Sequence, residues 1–148
     1  MRANPTGHSI TETAANKMFM QHVFTELAKG NRKPFADAMA DDFCWTITGS
    51  TAWSRSYHGK AAVRAELIEP LFAQFADRYR NRAHRFLADE DFVVVQCQGE
   101  VTTRKGDDYH NSYCYVIRMA GGQMRELTEY LDTALVERVL DPPPSMGQ

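Results

Sequence analysis

Hydrophobic positions recur with two different periods along this chain, and the change from one to the other divides it. Met20, Val23, Phe24 and Leu27 fall at i, i+3, i+4 and i+7, the spacing that gathers apolar side chains on one face of a helix. Ser9 followed by Glu12 is a capping-box pattern ahead of that run, and Lys29-Gly30 is a stop behind it. A second short helix is predicted over about residues 33–40, with Phe35, Ala38 and Met39 inward and Asp41-Asp42 ending it. A third follows His58-Gly59-Lys60, where Val63, Leu67, Leu71 and Phe75 repeat every four residues. Pro70 interrupts it, and because proline has no N–H and crowds the preceding turn, a kink or split is expected there.

The period shortens to two in Phe43 to Thr48, where Phe43, Trp45 and Ile47 alternate with Cys44, Thr46 and Thr48, and again in residues 78–88. The stretch Phe92 to Asp132 then reads as three long antiparallel strands. Its runs are β-branched and aromatic, and glycine marks both breaks, Lys105-Gly106-Asp107-Asp108 and Ala120-Gly121-Gly122-Gln123. In the first of these strands Val93, Val95, Cys97 and Val101 share one face, and Gln96, Gln98, Glu100 and Thr102 the other. Ala134, Leu135, Val136, Val139 and Leu140 suggest a short terminal helix, stopped by Asp141-Pro142-Pro143-Pro144. Helices followed by successive antiparallel strands predict an α+β fold: one domain, its core over about residues 12–140, with a curved sheet wrapped on the helices and a pocket at the open end.

Register decides which polar groups share that pocket. A four-residue loop closed by Arg104 and Tyr109 sets Glu100 opposite Tyr113, Gln98 opposite Tyr115 and Thr102 opposite Asn111. A three-residue second loop with Gly122 left-handed sets Tyr113 opposite Glu129, giving a row Glu100, Tyr113, Glu129. A two-residue Gly121-Gly122 turn sets Tyr130 opposite Tyr113 instead, and the mixed alternation of residues 123–132 fits either.

Composition narrows the function classes. With 148 residues, 43% hydrophobic and 24% charged, neither disorder nor a membrane span is indicated. A net charge of −2 argues against nucleic-acid binding, and Arg78, Arg80, Arg82 and Arg85 read as a solvated strand face. Cys44, Cys97 and Cys114 are odd in number and sit in apolar strand patterns, as small core residues in a reducing compartment. They form no zinc spacing, and neither a metal nor a cofactor is implied. A cytoplasmic location is expected, since the first residues carry no apolar leader-like run.

The order of elements, Ala40-Asp41-Asp42-Phe43 before the first strand, Tyr57-His58-Gly59-Lys60-Ala61-Ala62-Val63 at the third helix, and Gly122-Gln123-Met124 leading to Glu129-Tyr130-Leu131-Asp132 together resemble the nuclear transport factor 2-like superfamily, within it the SnoaL-like, ketosteroid-isomerase-related group. The resemblance implies a cone-shaped α+β barrel with a deep pocket and commonly a homodimer packed through the outer sheet face. It implies no single reaction, because the fold hosts isomerases, cyclases, epoxide hydrolases and binders. Steroid isomerisation is disfavoured, since Ile47 stands where that chemistry needs an aspartate base. Similarity to limonene-epoxide-hydrolase-like enzymes places the two acids at Glu129 and Glu100, with Gln98, Trp45 and Ile47 replacing the arginine, tyrosine and asparagine of that pattern. Similarity to SnoaL-like cyclases suggests Glu100 or Glu129 with His84 or His110, although lone histidines more often serve packing or the surface.

The expectation is therefore a cofactor-independent acid–base enzyme, an isomerase, cyclase or hydrolase acting on a small apolar oxygenated substrate. Its candidate catalytic residues are Glu100, Glu129 and Tyr113, and Trp45, Gln98, Asn111 and Tyr115 are its candidate substrate-binding residues. The alternative is a noncatalytic ligand-binding or dimeric interaction protein of the same fold.

Overall fold

The computed structural model describes residues 10–144. Helix α1 (Ile10–Ala28) buries Met20, Val23, Phe24 and Leu27, the face read from its periodicity. Its proposed Ser9 cap lies outside the described residues. The helix stops at Gly30, whose φ of +86° is natural to glycine and whose N–H is taken by the Leu27 carbonyl. Helix α2 (Lys33–Asp37) is shorter than expected, and strand β1 (Met39–Ile47) begins before Asp41-Asp42 instead of after it. Strand β2 (Ser56–His58) lies in a segment the sequence pattern leaves irregular, paired antiparallel to β1 through Trp45 and Tyr57.

The third helix is split, as Pro70 requires. Its pieces are α3 (Lys60–Ala62), a π-helical turn (Val63–Ile68) and α4 (Glu69–Phe72). Glu69 N–H reaches back five residues to the Arg64 carbonyl, so the wider turn falls just where the proline ring needs room. Strands β3 (Arg80–Asp89), β4 (Phe92–Glu100), β5 (Ser112–Ala120) and β6 (Gln123–Leu131) follow, and α5 (Thr133–Val139) closes the chain. Asp132 caps α5 by accepting the Leu135 N–H at 3.2 Å.

The six strands form one curved, unclosed sheet in the order β2-β1-β6-β5-β4-β3. It is mixed rather than wholly antiparallel, because β1 runs parallel to β6. Helix α1 packs on its concave side, where Phe24 meets Phe86 and Tyr115 with ring centroids 5.8 and 6.2 Å apart. The inward residues of β4 are Val93, Val95, Cys97 and Gly99, so the apolar alternate positions face the core and the polar ones face out. Cys97 is buried, whereas Cys44 and Cys114 are only half-buried, which corrects their reading as core residues.

Both hairpins depart from the expected register. The first closes on three residues, Arg104-Lys105-Gly106, with Thr103 N–H bonded to the Asp107 carbonyl and Gly106 left-handed at φ +92°. Backbone pairing then runs through Tyr109 with Val101 and Asn111 with Gly99 to Gln98 with Ser112. Tyr113 faces Cys97, three places from the Glu100 partnership. Three is odd, and an odd shift moves every side chain to the opposite face.

The second hairpin takes the two-residue turn, with Gly121 and Gly122 at φ +59° and +74°. A bulge at Arg125 then adds one residue to β6, so that Glu129 pairs with Tyr115 and Leu131 with Tyr113. The bulge restores the parity, which keeps Glu129 on the face of the two tyrosines.

Candidate active site

Between the concave sheet and the helices lies a cavity of about 570 Å³, within the range of small-molecule sites. Trp45 comes from β1, Tyr113 and Tyr115 from β5 and Glu129 from β6, and all four line it. Adjacent strands bring them together, since Trp45 and Leu127 are register partners on one side of β6 and Tyr115 and Glu129 on the other. Aromatic contacts fix the walls. Trp45 meets Tyr115 edge-on at 6.2 Å and tilts against Phe35 at 5.7 Å.

Glu129 is the charge-bearing group at depth, only 6% exposed. Its Oε1 accepts a hydrogen bond from Trp45 Nε1 at 3.0 Å, and among the described residues no side chain or backbone donor reaches the second oxygen. Burial in an apolar enclosure penalises the ionised form and pushes the carboxyl up to about 7, while the indole N–H pulls the other way. Tyr113 and Tyr115 are held well above the ordinary phenol range, chiefly by burial. Both therefore stay protonated and able to donate at any physiological pH.

Glu100 does not reach the cavity. It stands opposite Arg80 on the outer face of β4 and pairs with Arg82 Nε at 2.7 Å, both side chains about half exposed. Gln98 also points outward, donating to the His110 carbonyl and accepting from Ser112 Oγ. Asn111 is fully buried but serves as a structural clamp. It donates from Nδ2 to Tyr109 Oη and the Asp132 carbonyl, and accepts the Asp132 N–H at 2.9 Å. His84 and His110 are exposed. The row Glu100, Tyr113, Glu129 is thus not formed, because it depends on the four-residue first loop.

The cavity adds residues that the sequence pattern does not single out. Tyr79, Asn81 and Tyr109 line it beside Tyr113, and Asn81 donates to Tyr79 Oη at 3.1 Å. Asn81 Oδ1 is buried without a hydrogen-bond partner among the described residues. Burial pushes Tyr109 up to about 12. The signal for Asn81 was available in the alternation of residues 79, 81 and 83 opposite the arginines. No group of three or more His, Cys, Asp or Glu residues among those described is placed to hold a metal ion.

A family profile described as SnoaL-like domain matches residues 20–127. A search of curated proteins finds no match. Among solved structures, a protein from Jannaschia sp. CCS1 named as a SnoaL-like polyketide cyclase candidate is similar at 17% identity. The likeness covers 97% of this chain and 99% of that one, with a TM-score of 0.71. TerC, crystallised with polyporic acid, is similar at 16% identity over 84% of this chain and 96% of its own, with a TM-score of 0.70. An epoxide hydrolase of limonene-epoxide-hydrolase type from M. tuberculosis gives 15% identity, 83% and 86% coverage and a TM-score of 0.65. Likeness at these identities establishes the fold.

Proposed function

This chain belongs to the SnoaL-like domain family, and from that premise we propose that it is a small-molecule pocket protein that moves a proton on an apolar, oxygenated substrate through a single carboxyl group, Glu129. The observation that carries this reading is a carboxyl buried on the wall of an apolar cavity with one indole N–H as its donor, an enclosure that pushes it up to about 7. A general acid–base group works best when its pKa lies near the working pH. The ionised form takes a proton from carbon next to a carbonyl and the neutral form returns it elsewhere, as an isomerase or cyclase requires. Tyr113 and Tyr115, protonated and on the same wall, supply donors for the enolate oxygen that develops.

The two-acid hydrolytic scheme has less support. Besides Glu129, Glu69 is the acid on the cavity lining among the described residues, and it is exposed. A noncatalytic binder is the second reading, favoured by Ile47, which lines the cavity where a first-strand base would stand.

Thermal-shift screening with terpenoid, steroid and aromatic polyketide-like ketones identifies ligands, because binding raises stability by mass action. Any ligand with an α-hydrogen is then followed by NMR for exchange with deuterated solvent. Catalysed exchange is expected in the native protein and a loss of about a hundredfold or more in Glu129→Gln. Binding with no catalysed exchange and no turnover supports the binder.

We also propose a homodimer formed through the outer sheet face. Leu87, Phe92 and Tyr130 are apolar side chains exposed there, Tyr130 at 51%, and exposed apolar groups on one sheet face fit a partner surface.

A further inference from the structure

The cavity has a second chemical character at its mouth. Arg32, Lys33, Lys60 and Arg64 all line it. Arg32, Lys33 and Arg64 are exposed and Lys60 is half-buried, so they form its rim, while Glu129, Trp45 and Tyr115 lie deep. The cations come from two parts of the chain, two from the start of α2 and two from α3 and the π-helical turn.

One of the four is already balanced. Lys33 pairs with Asp37 at 2.7 Å, and Asp37 also feels the charge of Lys60. Arg32 and Arg64 have no carboxylate partner within ion-pair distance among the described residues. Glu66, beside Arg64 in sequence, is taken by Arg55 at 2.8 Å. Arg32 is held in place nonetheless, its guanidinium stacked 4.2 Å from the centroid of Phe72, another cavity residue. Arg78, at the head of the arginine-rich strand, adds a like charge that Arg32 senses. Glu69 is the one acid on the rim among the described residues.

Two uncompensated guanidinium groups at the opening of an apolar cavity are an arrangement that an anion completes, because guanidinium pairs readily with oxyanions and sheds water easily. We propose that the ligand is an amphipathic organic anion: an apolar body that fills the cavity down to Glu129, and one negatively charged oxyanion group held at the mouth by Arg32 and Arg64. This assignment rests on the cavity reading above and adds the charge and direction of the ligand. The anionic end stays at the rim and the reacting carbon goes in first, so the buried carboxyl never meets the ligand's charge.

The test uses a fluorescent pair that differs in one anionic group, anilinonaphthalene sulfonate and its uncharged parent phenylnaphthylamine, titrated into the full-length protein. The sulfonate is expected to bind about three- to tenfold tighter at low salt, the scale of two partly exposed ion pairs. Added salt should erode that preference. The double variant Arg32→Gln, Arg64→Gln should lose it while still binding phenylnaphthylamine, which also reports that the variant is folded. Equal affinities in the native protein, a preference that survives in the double variant, or no binding of either probe would each overturn the proposal. The titration of Glu129, followed separately by NMR, is independent of the rim and reports on the acid–base reading whatever the probes do.

Discussion

Glu129 takes its chemistry from its surroundings rather than from its sequence neighbours. Its carboxyl, ordinarily ionised at neutral pH, is pushed up to about 7 by burial and pulled back by one indole hydrogen bond. Replacing Trp45 by Phe removes the pull, so the midpoint should move above 7, and NMR of the side-chain carboxyl carbon measures it. The same shift makes stability depend on pH. The folded state holds this proton more tightly than the unfolded chain, so the contribution is full below about pH 4.5 and falls as pH rises through about 7. The loss across that window is at most about 3 kcal/mol. Glu129→Gln should flatten that part of the pH profile of urea-unfolding stability.

Elements set which side chains meet. The helical face of α1, the alternation of β1 and the split at Pro70 were legible because each depends on periodicity or on one residue's covalent shape. Trp45, Tyr113, Tyr115 and Glu129 were legible as well, since a two-residue turn plus the Arg125 bulge leaves the same parity as a three-residue turn. Glu100, Gln98 and Asn111 were misplaced by one feature, the length of the first loop. Gly106 as the left-handed third residue of Arg104-Lys105-Gly106 was the available signal. Asn111 instead joins the end of β6 to β5 and Tyr109. Asn111→Ala removes a fully buried side chain that holds the Asp132 backbone at both its N–H and its carbonyl, and should cost about 1–3 kcal/mol in chemical denaturation. It should leave the Glu129 midpoint in place, because Asn111 does not touch that carboxyl.

At the scale of the molecule, one curved sheet presents two surfaces with different tasks. Its concave side and the helices enclose the cavity, and its convex side carries exposed Leu87, Phe92 and Tyr130. If the convex side joins two copies, Tyr130→Glu should shift sedimentation equilibrium toward monomer without changing the circular dichroism spectrum. An unchanged mass in solution would argue against that interface. No helix among the described residues is long and apolar enough to cross a membrane. The register that separates Glu100 from the cavity also leaves Glu129 as its deep acid, so the acid–base chemistry proposed above rests on one carboxyl shifted by burial.

The most direct measurement is the titration of the Glu129 carboxyl carbon by NMR, first in the free protein and then with phenylnaphthylamine filling the cavity. The account requires a midpoint near 7 in the free protein, rising further when the apolar ligand expels water from around the group. A midpoint near that of free glutamate, unmoved by the ligand, would contradict it.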